Sequence, residues 1–92
     1  MANNIFIYFE TDNNDRQTDI ESKIKSLGNT THISNNLWYS NIEAESEILV
    51  KHLSSNLTDL DQLIIIDAQN NTSHWFNMED KKARRITQHW KM

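Results

Sequence analysis

The chain has 92 residues, a net charge of −4, one glycine, no proline and no cysteine. The lack of cysteine excludes disulfides, thiolate metal sites and a cysteine nucleophile, and a single glycine excludes a glycine-rich phosphate loop. A chain of this length buries only about two-thirds of its unfolded surface, so one hydrophobic core and a single domain over 1–92 are expected.

In chain order, Asn4-Ile5-Phe6-Ile7-Tyr8-Phe9 is a β-branched and aromatic run closed by the polar stretch 10–14, which predicts a first strand. Its apolar residues do not alternate, so both faces of the sheet around it should be covered. Asp15 or Asn14 can cap a helix to Leu27, with Ile20, Ile24 and Leu27 on one stripe and Gly28 at the left-handed C-terminal position. Thr30 to Ile33 and Leu37 to Ser40 read as a hairpin turned by Ser34-Asn35-Asn36. Asn41 is a cap for a second helix over about 42–55, with Ile48, Leu49, His52 and Leu53 toward the core. After a turn over 56–61, Gln62 to Ala68 is the most apolar strand.

This β-α-β-β-α-β order predicts an α+β fold of the ferredoxin-like, split βαβ kind, with a body over 4–68. A C-terminal aromatic and basic segment, 69–92, adds an edge strand over about 73–78, a helix over about 78–90, or both. With no proline, turns fall to Asn, Asp and Ser.

Charge divides unevenly between these parts. Residues 1–78 carry four Lys or Arg against eleven Asp or Glu, and 79–92 carry five against two. An acidic body disfavours a general nucleic-acid binder, and a basic terminal helix suits an acidic protein surface or a local phosphate contact. No uncharged apolar stretch approaches the about 20 residues that span a bilayer, so a cytoplasmic protein with no membrane contact is expected.

Ile7-Tyr8, then Ile24-Lys25-Ser26-Leu27-Gly28, then Leu37-Trp38-Tyr39-Ser40-Asn41, then Asp61 to Ile66 resemble the small bacterial proteins of the SinR family. That group is similar to the second CRISPR-associated (Cas) protein family, which is of the ferredoxin-like endoribonuclease type. The resemblance spans about 4–68. It implies a ferredoxin-like homodimer formed through the sheet face or the C-terminal edge strand. The residues themselves point the same way, since Phe6 and Tyr8 lie opposite Ile5, Ile7 and Phe9 and two helices can cover only one sheet face. Phe6 and Tyr8 are therefore the expected interface, with Trp38 in the core or at that interface. The nuclease family has a metal-binding aspartate after the strand-one tyrosine, and here Phe9 stands there. An apolar ring cannot ligate a hard cation, which argues against nuclease activity.

Glu10 and Asp12, with Asp15 nearby, are weak metal candidates that a register slip could bring into the missing ligand's place. The four histidines, His32, His52, His74 and His89, are not spaced as ligands, and no serine sits in a nucleophile elbow. No catalytic residue and no cofactor are expected. Trp75, Phe76 and Trp90 beside Lys81, Lys82, Arg84 and Arg85 combine aromatic surface with charge and form the predicted partner-binding segment. The expectation is a catalytically silent, dimeric binding protein acting on another protein in prokaryotic phage-defence or toxin–antitoxin biology. One concrete form is an inhibitor of a defence nuclease complex, since an acidic protein can imitate nucleic acid. The alternatives are a metal-dependent endoribonuclease and a structural or oligomerisation subunit.

Overall fold

A computed structural model describes residues 2–90 and shows an α+β arrangement of five antiparallel strands and three helices. The first strand, β1 (Asn3–Glu10), is the middle of the sheet. Because side chains alternate along a strand, its unbroken apolar run splits in two. Ile5, Ile7 and Phe9 are fully buried on one face, and Phe6 and Tyr8 lie on the other.

Helix α1 (Asn14–Ser26) follows. Its cap is Asn13, whose side chain accepts the Arg16 N–H at 2.9 Å, so the cap lies one residue before Asn14 and two before Asp15, the expected positions. Ile20 and Ile24 are buried, and Gly28 takes φ 87° just beyond the helix, where an L side chain would be strained. β2 (Thr30–Ser34) and β3 (Leu37–Ile42) form the hairpin, with Asn35 at φ 45° in its turn. Asn29, Asn71 and Asn77 also have positive φ. Asparagine thus supplies the left-handed turns that other chains assign to glycine.

The second helix departs from the sequence reading. Asn41 does not cap it, because β3 runs through that residue: Asn41 pairs with Asn4, and its N–H reaches the Asn29 carbonyl at 3.1 Å. Helix α2 (Ser46–Leu53) therefore starts four residues later than 42, after Glu45. Its inward stripe is Ser46, Leu49 and Leu53. Ile48, 59% exposed, and His52 face outward, so of the expected stripe only Leu49 and Leu53 are in the core.

β4 (Gln62–Asp67) and β5 (Thr72–Phe76) form the far side of a sheet ordered β2-β3-β1-β4-β5. Helix α3 (Asp80–His89) ends the described chain, so the C-terminal segment contributes both a strand and a helix. The core combines Ile5, Ile7, Phe9, Leu63 and Ile65 of the sheet with Ile20, Ile24, Leu49 and Leu53 of α1 and α2. These two helices cover one face of the sheet. Among the described residues the opposite face has only α3, and Met78, Lys82 and Ile86 border one cavity there with Tyr8 and Ile64. Both faces were expected to be covered; the second is covered only in part, and Phe6, Leu37, Tyr39 and Ile66 remain half-buried on it. Among the described residues no helix is long and apolar enough to cross a membrane.

Candidate functional site

The open face has aromatic side chains on its two central strands. Phe6 of β1 and Tyr39 of β3 face each other across the ladder, with ring centroids 5.3 Å apart and planes at 56°. Tyr39 donates its hydroxyl to Asn4 Oδ1 at 2.7 Å, and Asn41 Nδ2 donates to the same oxygen at 3.2 Å. Tyr8, 38% exposed, donates to Glu10 Oε1 at 2.6 Å. That bond, together with partial burial and the nearby carboxylate charge, raises the Tyr8 phenol above its ordinary pKa.

Trp38 does not share this surface. It pairs with Ile7 on the helix-covered face, is 3% exposed, and stacks on His32 at 4.3 Å. Of the three expected interface residues, Phe6 and Tyr8 are on the open face and Trp38 belongs to the core. Its indole Nε1 is buried without a hydrogen-bond partner.

The acids after β1 are separated by the same alternation. Phe9 points into the core, so Glu10, the next residue, points to the opposite face and cannot take the direction of side chain 9. Glu10 is tied to Tyr8, and Asp12, almost wholly exposed, lies 3.8 Å from Arg16. Asp15 is exposed on the first turn of α1. Among the described residues, no three His, Asp or Glu side chains gather where they could hold a metal ion.

An ion pair missed in the sequence lies nearby. Asp61 is fully buried; its Oδ2 is 2.7 Å from Arg16 Nε, and it accepts the Thr58 N–H at 2.8 Å. Burial pushes the Asp61 carboxyl up, but the Thr11 hydroxyl, the Thr58 N–H and the Arg16 guanidinium outweigh it and hold the pKa below the ordinary carboxylate value. The only sequence signal was an aspartate at the end of a turn, directly before the most apolar strand.

A serine hydroxyl meets a histidine ring where Ser46 Oγ lies 2.6 Å from His74 Nδ1 and 3.3 Å from Thr72 Oγ1. Ser46 is 3% exposed, which denies a substrate access to the hydroxyl. The contact instead ties the start of α2 to β5.

The C-terminal residues divide between two surfaces. Phe76 packs against the core on the helix face. Trp75, opposite Ile64, is on the open face, and Trp90 Nε1 donates to the Asn71 carbonyl at 2.9 Å, anchoring the end of α3 to the start of β5. Trp75, Ile86 and Trp90 help to line a cavity of about 330 Å³ between β5 and α3. Lys82 is 4.0 Å from Glu79, whereas Lys81, Arg84 and Arg85 are exposed and, among the described residues, have no ion-pair partner. Of the predicted segment, Trp75 and Trp90 border this cavity, whereas Lys81, Lys82, Arg84 and Arg85 do not line it and Phe76 lies on the other side of the sheet. In comparisons with known proteins, no family model, no curated protein and no solved structure matches this chain significantly.

Proposed function

We propose that this chain is a catalytically silent binding protein that acts through protein–protein contact, with β5 and α3 as its contact surface. The observation that carries the reading is the grouping of Trp75, Ile86 and Trp90 around one cavity, one wall of which is a helix whose Lys81, Arg84 and Arg85 are exposed and, among the described residues, without an ion-pair partner. Aromatic anchors flanked by charge are the composition of interface hot spots. The strand order, with α1 and α2 on one face, supports the ferredoxin-like, split βαβ description of the body. The resemblance to SinR-family proteins supplies the proposed setting, prokaryotic phage defence or toxin–antitoxin biology. Phe9 in the core and Glu10 aimed the other way weigh against the endoribonuclease alternative.

Reversing both charges in Arg84→Glu with Arg85→Glu tests the surface. Retention of host-lysate proteins on the immobilised chain is expected to be lost, while the melting temperature moves by no more than a few degrees, because exposed charges contribute little to folding. Unfolding of the double variant would instead make the basic stripe an internal partner of the acidic body.

A second reading, self-association through the open sheet face, is favoured by the half-buried ring pair Phe6 and Tyr39 at its centre. Light scattering at micromolar concentration is expected to give twice the 10.9 kDa chain mass. Tyr8→Glu, which places a second carboxylate beside Glu10, should return it to the monomer. A monomeric wild-type chain removes this reading and leaves the first untouched.

A further inference from the structure

The two edges of the sheet are not alike. β2, at one end, has a register shift between His32 and Ser34, an irregularity of the kind that protects an edge from further pairing. β5, at the other, pairs with β4 in unbroken register from Leu63↔Phe76 to Asp67↔Thr72. Its sequence, Thr72-Ser73-His74-Trp75-Phe76, contains no lysine, no acid and no proline. Among the described residues the outer side of β5 therefore presents backbone N–H and C=O groups with no strand opposite, and the strand itself lacks the charged and proline residues that blunt an edge.

The cavity beside this edge has a telling outline. Five consecutive residues, 71–75, form one side and Ile86, Thr87 and Trp90 of α3 the other, with no residue of β4 among them. Neighbouring strand residues point to opposite faces, so a space that touches all five yet misses the adjacent strand runs along the outer edge rather than over either face. It is a trough with strand backbone on one wall and a helix on the other. Trp90, bonded to the Asn71 carbonyl, closes one end.

We infer that this trough takes an extended, acidic segment of a partner protein, which adds to the sheet as a sixth strand along β5 and packs its apolar side chains against Trp75, Ile86 and Trp90. The inference rests on the reading of β5 and α3 as the contact surface, and names what that surface binds. Strand addition gains affinity from main-chain hydrogen bonds and specificity from alternate side chains. Here the alternate positions meet an apolar wall, and the helix that forms it carries Lys81, Lys82, Arg84 and Arg85 against Glu79 and Asp80, a net positive charge that an acidic segment complements at longer range. A second copy fits this edge worse, because pairing β5 with β5 brings two basic helices together, and like charges in apposition disfavour the complex.

The test selects a phage-displayed random heptapeptide library on the full-length chain, then resynthesises the most enriched peptide. Enriched sequences should be net acidic with apolar residues at alternate positions. Binding of the synthetic peptide should slow amide exchange at residues 72–76, weaken at least tenfold when alternate peptide nitrogens are methylated, and weaken at least tenfold in the Arg84→Glu, Arg85→Glu variant. The methylated peptide keeps its side chains, so it separates strand addition from simple side-chain docking without any change to the protein. Basic enriched peptides, unchanged exchange at 72–76, or equal affinity of the methylated peptide would each overturn the inference. So would concentration-dependent protection of 72–76 without peptide, which would make a second copy the occupant. If no peptide is enriched but lysate proteins are still retained in an Arg84- and Arg85-dependent way, strand addition falls and the contact surface stands; loss of both results removes both.

Discussion

Phe9→Asp is expected to abolish cooperative folding. Phe9 is among the largest fully buried side chains, at the centre of the cluster that joins β1 to α1 and α2. Truncating a buried aromatic typically costs about 3–5 kcal/mol. An unpaired carboxylate in the same place adds several kcal/mol more or must be protonated. A domain of this size has only about 5–14 kcal/mol of stability to lose, so the two costs together are comparable with the whole. Circular dichroism during heating should show no sigmoidal transition for Phe9→Asp, whereas Phe9→Leu, which keeps most of the apolar volume, should melt cooperatively. A cooperative melt of Phe9→Asp would mean that position 9 does not face the core.

Arg16→Met is expected to destabilise the fold by about 3–5 kcal/mol at neutral pH, because it leaves Asp61 buried and charged with its cationic partner gone. The pH dependence identifies the cause. Asp61 has a folded pKa below that of an unfolded aspartate, so the pair's contribution is complete above the unfolded value of about 3.9 and is lost as pH falls through the lower folded value. Urea unfolding of wild type and variant should therefore show a gap that is widest near neutrality and narrows below about pH 4. The double change Arg16→Met with Asp61→Leu should recover much of the loss, since removing both charges avoids the stranded carboxylate. A gap that does not change with pH would trace the loss to the packing of the arginine stem instead.

Local signals are what made much of the fold legible. β1, α1 and the β2–β3 hairpin could be read from the apolar run at 5–9, the Ile20/Ile24 stripe, and the turn residues Gly28 and Asn35, since each depends on residues a few positions apart. The start of α2 was misread for the opposite reason. Asn41 is an acceptable helix cap by itself, and only its pairing with Asn4, 37 positions away, extends the strand through it. Of the expected stripe Ile48, Leu49, His52 and Leu53, only Leu49 and Leu53 face inward, joined by Ser46, because Ile48 and His52 lie one residue, about 100°, off that line.

The same division holds for the candidate site. Composition and order by themselves determined an α+β chain without cysteine chemistry and an acidic body with a basic, tryptophan-bearing end. Tertiary structure alone decided that Trp38 and Phe76 belong to the helix-covered side while Trp75 and Trp90 border one trough, because which face a strand residue takes depends on register against strands far along the chain. It also decided that Asp61 meets Arg16, a pair 45 positions apart that no local pattern encodes and that exists only because the turn before β4 folds back against the first turn of α1.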